Sequence, residues 1–428
     1  MISIEKLYDI FLQSRGISID TRSISANCFF FCLSGERFDG NTFAKEALDK
    51  GAKYVVIDNP KYKINNACIY VNNTLKTLQQ LAHFHRNKLK IPVIGITGTN
   101  GKTTTKELIH AVLSAKYKVC ATQGNLNNHI GVPLTLLAID PKNTQIAVVE
   151  MGANHIGEIK ELCQIADPNH GIITNIGKAH LEGFGSIEGI IETKSALYQH
   201  ITEKRGLLFV HSEDKRLMQL SKGIKKIIYG KTGNYKGFCF GDGLLLKLHL
   251  PDYDVDIQTQ LIGEYNFSNV MAAVAVGSHF AVSKENIKLA LEGYVPNNNR
   301  SQVIKNDDKT IIIDAYNANP SSMKLAIENM AGMNVENKIL LLGDMAELGE
   351  ESVKEHQQIV DIICTSSFDY VYLLGNEFAQ TNAPASWLYQ DYEHLKNVLE
   401  KSLPSKATIL LKGSRSMGME RFLEVIRN

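Results

Sequence analysis

The sequence predicts an α/β protein of three domains: a small N-terminal α/β domain, a central parallel-sheet domain with a small antiparallel insert, and a C-terminal Rossmann-like α/β domain. Three observations predict it. Short β-branched runs alternate with helical patterns along most of the chain, which implies parallel sheets covered by helices. Lys236 to Leu261 departs from this with closely spaced strands around a hairpin turn at Gly241-Asp242-Gly243. Turn-forming linkers at Lys90-Ile91-Pro92 and Pro296-Asn297-Asn298-Asn299 divide the chain into 1–88, 89–298 and 299–428.

Composition narrows the function classes. A length of 428 residues suits two to four domains, and 44% hydrophobic with 21% charged residues is ordinary globular protein. A formal net charge of +1 offers no field for nucleic acid or an anionic membrane, so any bound polyanion is small and held locally. Seven cysteines without a C-x-x-C pair argue for a reducing compartment and against a zinc cluster or disulfide framework. Met1 to Gly16 carries Glu5, Lys6 and Asp9 and lacks a signal peptide's apolar core. No apolar run approaches the ~18 residues that span a bilayer, so the expected location is the cytoplasm.

In the first domain, Cys28 to Leu33 and Tyr54 to Asp58 read as strands, Phe43 to Lys50 has helical spacing, and Thr74 to Leu89 is a helix. Polar residues gather at Asp20-Thr21-Arg22 and at Ser34-Gly35-Glu36-Arg37-Phe38-Asp39-Gly40. An arginine in such a loop can clamp a phosphate bidentately, and the same residues read equally well as solvated loops with structural glycines.

The central domain opens on the strand Val93 to Thr97, which runs into Gly98-Thr99-Asn100-Gly101-Lys102-Thr103-Thr104 and then a helix through Leu108, Ile109, Val112 and Leu113. Strand, glycine loop and helix form the context of a phosphate-binding loop. Gly98 and Gly101 allow the tight turn, Lys102 would reach the β- and γ-phosphates, and the Thr103 hydroxyl would ligate Mg²⁺. The loop is a variant, with Ile96 where the strict pattern has glycine. Further strands are Ile146 to Glu150, Gly171 to Asn175 and Gly206 to Val210, and helices are Ile156 to Ile165, Ile187 to His200 and Asn266 to Phe280. Glu150 and His180 fall at carboxyl ends of strands, the ligand edge of such sheets, and could complete a magnesium site with Thr103. No N-K-x-D follows, and no D-x-x-G after the Glu150 strand, so adenine is favoured over guanine.

The third domain has strands Thr310 to Asp314, Lys338 to Leu342, Tyr370 to Leu374 and Thr408 to Leu411. Asn319 as cap with Pro320 behind it starts a helix. Glycine-bearing loops follow the other three strands: Gly343-Asp344, Gly375-Asn376 and Gly413-Ser414-Arg415.

These blocks together resemble the Mur ligases of peptidoglycan synthesis. The resemblance is carried by T-G-T-N-G-K-T-T, by Asn125 to Pro133 (N-L-N-N-H-I-G-V-P), by Glu150-Met151-Gly152-Ala153-Asn154 and by Thr174 to His180. Asp314 to Pro320 (D-A-Y-N-A-N-P), Gly343 to Gly349 (G-D-M-A-E-L-G) and Lys412-Gly413-Ser414-Arg415 look like the branch that adds D-alanyl-D-alanine. The opening D-T-R and S-G-E-R-F-D-G look like its uridine-nucleotide domain, so the likeness spans nearly the whole chain.

The resemblance implies an ATP-dependent ligase joining UDP-N-acetylmuramoyl-tripeptide to D-Ala-D-Ala through an acyl phosphate. Thr21, Arg22, Arg37, Asp39 and Gly40 with Asn127 and Asn128 would hold the UDP substrate. Gly98 to Thr104, Asn266, Asn269, Arg300 and Asp314 would hold ATP, with Tyr265 in place of the family's usual histidine. Tyr316, Asn317 and Asn319 would meet the peptide substrates, and Lys102 and Arg300 would neutralise the meeting anions. Two Mg²⁺ ions are implied, one on Thr103 and one at Glu150 and His180, with Lys194 matching a lysine the family carbamylates. The third domain would close about 296–299 and expel water. A monomer is expected. A folylpolyglutamate synthetase or a P-loop regulatory ATPase are the competing readings; the first places little chain ahead of its loop, and the second leaves the 314–320 and 412–415 blocks without a purpose.

Overall fold

A computed structural model describes residues 2–427 except 37, 242, 243, 298 and 307. The Asp242-Gly243 part of the expected hairpin, Arg37 and Asn298 therefore lie outside the described residues.

The N-terminal domain is a four-stranded parallel sheet, Ile17–Ser18, Phe29–Phe31, Tyr54–Ile57 and Cys68–Tyr70, in chain order. The first and last of these strands were not expected: two or three residues carry no readable period. Helix Ile4–Leu12, capped by Ser3, also went unread and packs Leu7, Tyr8 and Phe11 inward.

Seven parallel strands make the central sheet, in the order Tyr235–Lys236, Lys226–Gly230, Leu207–His211, His170–Ile173, Val93–Thr97, Ile146–Glu150, Val119–Ala121. The phosphate-loop strand thus lies between the strands that lead to Glu150 and to His180. Its residues are all buried, as a parallel strand covered on both faces should be. The antiparallel insert is confined to Phe238–Cys239, Leu245–Leu250 and Val255–Ile262. Lys236, expected in the insert, instead ends the edge strand of the main sheet.

The C-terminal sheet runs Gln302–Asn306, Lys309–Asp314, Ala407–Lys412, Lys338–Gly343, Tyr370–Leu374, Leu388–Tyr389. Only the first of these is antiparallel to its neighbour.

How the domains join decides what can move. One apolar core runs without a break from Phe29, Phe31 and Leu78 of the first domain to Val132, Leu136 and Ile159 of the second. Buried polar groups reinforce it: His85 links the Tyr8 hydroxyl to the Ile139 carbonyl, each at 3.0 Å, and the Arg86 guanidinium donates to the carbonyls of Ala166 and Asp167. The C-terminal domain has a core on each face of its sheet; one of them also takes in Ile262, Leu181, Leu244 and Leu245 of the central domain, and polar contacts add to that interface. The first two domains therefore share one continuous core, and the third is docked on the second through a smaller apolar patch and polar contacts. No helix among the described residues is long and apolar enough to cross a membrane.

Candidate active site

The phosphate loop is shaped by two glycines at positive φ with little room for a side chain. Gly98 has φ 145°, and a Cβ there would overlap the Thr174 hydroxyl. Gly101, at φ 78°, starts helix Lys102–Ser114, and a Cβ there would sit 2.5 Å from Asn269 Oδ1. The loop after the His170–Ile173 strand pins the turn from behind: Thr99 N–H donates to the Asn175 carbonyl and Asn100 N–H to Asn175 Oδ1, both at 3.0 Å. Ile96 fits because position 96 is still buried strand, paired with Glu150; the loop begins only at Gly98. Lys102 folds back so that its ammonium donates to the carbonyls of Gly98 (2.8 Å) and Thr99 (3.0 Å). Burial pulls its pKa down to about 8, with Glu150 opposing the shift and the nearby Arg300 adding to it. Thr104 follows, half-buried, in the first turn.

Glu150 ends its strand buried at the same edge. Its Oε1 accepts from the Thr103 hydroxyl (3.1 Å) and from Asn127 Nδ2 (2.7 Å). Its Oε2 is buried and has no hydrogen-bond partner. Such an orphaned oxygen is costly unless a cation meets it. The donor set, a carboxylate beside a hydroxyl, suits hard Mg²⁺. No group of three His, Cys, Asp or Glu side chains able to hold a metal occurs among the described residues.

His180 sits on the other flank and turns its imidazole to the Glu347 carboxylate of the C-terminal domain. Both residues are left-handed, at φ 51° and 63°, a strained conformation for side chains of this size. Lys194 is buried on helix Ile187–Glu203, donates to the Gly98 carbonyl at 3.1 Å, and lies 5.7 Å from the centre of the Phe184 ring. Burial first, and then the charge of Lys102, hold its pKa well below the usual lysine range.

Asn266 and Asn269 are buried and bonded to each other at 2.8 Å, and Asn269 Oδ1 accepts from Thr105 on the phosphate-loop helix. The Tyr265 hydroxyl meets Ser301 Oγ at 3.2 Å, tying the helix start to the residue after Arg300. Asn299 and Ser301, both left-handed, flank Arg300, whose guanidinium lies 3.6 Å from the centre of the Tyr316 ring. Asp314 pairs with the buried Lys412 and accepts from Ser301 N–H. Asn317 is exposed, and its Oδ1 accepts from Ala318 N–H. Asn319 caps helix Pro320–Gly332 and also donates to Asn100 Oδ1 of the phosphate loop at 2.8 Å.

The first-domain residues stand apart. Asp20 caps the turn Thr21–Ser23 and grips the Arg22 guanidinium at 2.6 Å, which lowers the Asp20 pKa to about 2. Thr21 offers its carbonyl to Lys50. Asp39 accepts from Ser34 and Asn41, and Gly40 packs against the Leu33 backbone with no room for a Cβ. Asn127 lies on Glu150 rather than beside these loops, and Asn128 caps the turn at Ile130 and Gly131.

Sequence reasoning gave no role to the residues that dock the third domain: Lys178 on Glu355 at 2.6 Å, Ser321 on the Lys178 N–H at 3.1 Å, and Glu347 on His180. Lys178 and Glu347 lie within blocks that could be read, but their partners are far away in the chain.

A phosphate loop on a parallel sheet, a buried carboxylate on its flank, and a second α/β domain docked over both define a nucleotide-dependent enzyme of three domains. Three family models match in sequence: "Mur ligase family, catalytic domain" over residues 13–92, "Mur ligase middle domain" over 96–277, and "Mur ligase, glutamate ligase domain" over 299–415. The chain belongs to the Mur ligase family. It is 37% identical over 427 residues to the UDP-N-acetylmuramoyl-tripeptide–D-alanyl-D-alanine ligase of Bacillus subtilis (strain 168), covering 96% of this chain and 92% of that one. Among solved structures it is similar to MurF from Acinetobacter baumannii, with TM-score 0.85, 29% identity and coverage of 99% and 98%. It is also similar to the MurF ligase from Thermotoga maritima in complex with ADP, with TM-score 0.85, 27% identity and coverage of 97% and 98%.

Proposed function

We propose that the chain is an ATP-dependent ligase that joins D-alanyl-D-alanine to UDP-N-acetylmuramoyl-tripeptide, giving ADP and phosphate. The carrying observation is the contact between Asn319 and Asn100, which sets the 314–319 loop of the third domain directly on the phosphate loop. The name of the Bacillus relative supports the substrates, and the ADP complex of the Thermotoga neighbour supports the nucleotide. The match of residues 13–92 supports a nucleotide-sugar reading over a folylpolyglutamate synthetase or a regulatory ATPase.

We assign 1–88 to the UDP-sugar substrate, through Thr21, Arg22, Arg37, Asp39 and Gly40, 89–298 to ATP, and 299–428 to the dipeptide, through Tyr316, Asn317 and Asn319. The tripeptide's terminal carboxylate attacks the γ-phosphorus; the new O–P bond forms as the bond to the ADP oxygen breaks. The dipeptide amine then attacks the acyl carbon, the C–O bond to phosphate breaks, and the amine loses its proton. Two anions must meet in the first step, so Lys102 and Arg300 lower its electrostatic cost. Thr103, Glu150 and His180 would hold two Mg²⁺ ions, which neutralise phosphoryl charge when bound. Asn127 fixes the rotamer of Glu150, and Asn266 and Asn269 set the loop against the adenine side. The closing third domain keeps water from the acyl phosphate. Seven unpaired cysteines support a reducing compartment, and we place the enzyme in the cytoplasm as a monomer. Product from all three substrates should be heavier than the tripeptide nucleotide by one dipeptide less water; a product of unchanged mass rejects the reading.

Two consequences concern the lysines. Lys102 is depressed from 10.5 to about 8, so the folded chain holds fewer protons than the unfolded one between those values. The apo fold therefore gains stability as pH rises through that window. Bound phosphates favour the charged lysine, so ATP binding should take up a proton above pH 8 and weaken as pH rises further. Calorimetry in two buffers of different ionisation enthalpy reads this uptake. Lys194 reacts with CO₂ as the neutral amine, which its buried setting favours. Activity should fall in CO₂-stripped buffer and return with bicarbonate, and Lys194→Arg should be inactive in both.

A further inference from the structure

Lys412 pairs with Asp314, and three residues on a guanidinium has no carboxylate partner among the described residues. Arg415 follows Gly413-Ser414 at the carboxyl end of the Ala407–Lys412 strand, whose neighbour ends at Asp314. Its backbone is fixed: Ser414 N–H donates to the Asp344 carbonyl at 3.0 Å, and Gly413 lies against Gly343 with a built Cβ only 3.1 Å from that residue's Cα. The side chain is exposed, with its guanidinium 5.1 Å from the centre of the Tyr316 ring. Arg300 occupies the same ring at 3.6 Å, beside Lys102. Lys412 is committed to Asp314, and Arg421 turns away to the carbonyls of Met417 and Gly418. Among the described residues, Arg415 forms no hydrogen bond or ion pair to a carboxylate.

Two cations on one ring repel, and an anion that reaches them lowers that cost. Arg300 lies toward the phosphates. The remaining anion of the reaction is the acceptor's own carboxylate. A dipeptide spans about 7 Å from amine to carboxylate, and two guanidinium carbons 3.6 and 5.1 Å from one ring centre are close enough together for it to reach between them. An amine held at the acyl phosphate near Arg300 therefore has its carboxylate within reach of Arg415.

We propose that Arg415 binds the terminal carboxylate of the dipeptide acceptor, with Tyr316 holding the guanidinium in place, so that the site selects a free carboxyl terminus. This rests on the ligase reading above and names the substrate group that the third domain recognises. Planar guanidinium matches carboxylate bidentately, which a lysine does only in part.

The test compares D-alanyl-D-alanine with D-alanyl-D-alaninamide as acceptors for the wild-type enzyme, Arg415→Ala and Arg415→Lys. Wild type should prefer the acid in kcat/KM by about ten- to a hundred-fold, the scale of one charge-assisted pair. Arg415→Ala should lose that much on the acid, chiefly through KM, and show almost no preference between the two acceptors. Arg415→Lys should keep part of the preference. KM for ATP and for the tripeptide nucleotide should stay within about three-fold in both variants, which also shows that they fold. An unchanged acid-to-amide ratio in Arg415→Ala, or a rise confined to the ATP KM, overturns the assignment. No dipeptide-dependent product from wild type overturns the ligase reading itself and this inference with it.

Discussion

Lys102→Ala lowers kcat/KM for ligation by about a thousand-fold, at the upper end of what one charge-stabilising donor supplies in a dry site. The lysine already lies in the loop, with its ammonium on the Gly98 and Thr99 carbonyls, and burial has stripped much of its water. Desolvation is then met before the nucleotide arrives, and the charge acts on the phosphates at low dielectric. The same burial means the folded chain bears a cost for this charge below pH 8. The alanine variant should therefore melt no lower than wild type without nucleotide, while losing the stabilisation that ATP confers. A variant that keeps activity within a few-fold, or that unfolds, contradicts this account.

Glu150→Gln lowers activity by about a hundred- to a thousand-fold and removes most of the Mg²⁺ dependence of ATP binding. The argument rests on Oε2. Oε1 has two donors, Thr103 and Asn127, and a glutamine oxygen can accept both. Oε2 has none, so the native carboxylate is built for a partner the protein itself does not supply. Without metal the substitution exchanges a buried charge for a neutral amide and should leave stability within about 1 kcal/mol of wild type, or raise it. Thermal melts with and without Mg²⁺ and ATP separate the two effects. A glutamine variant with wild-type Mg²⁺ dependence removes Glu150 from the metal site.

The phosphate loop was legible because its signal is local: a buried strand, two glycines and a helix within about twenty residues. Glu150 was legible for the same reason, as the polar end of an apolar strand whose register sets it beside Ile96. The docking of the third domain was not. Glu347 reaches His180 and Glu355 reaches Lys178 only through tertiary packing, and neither acid differs in type or spacing from a surface glutamate. The joined core of the first two domains was equally hidden. Leu78 reads as part of the apolar face of one helix and Leu136 lies in a stretch where no element was read, so nothing local says that they share one interior. The short strands Ile17–Ser18 and Tyr235–Lys236 exist because neighbours offer them a ladder, which no local pattern announces.

The central claim is that ATP cleavage at Lys102 and Glu150 is coupled to an acceptor held by the third domain. Phosphate release from ATP with UDP-N-acetylmuramoyl-tripeptide, measured with and without D-alanyl-D-alanine, tests it most directly. The account predicts sustained release only when the dipeptide is present, at one phosphate per peptide bond. Sustained release that is indifferent to both the nucleotide and the dipeptide contradicts it.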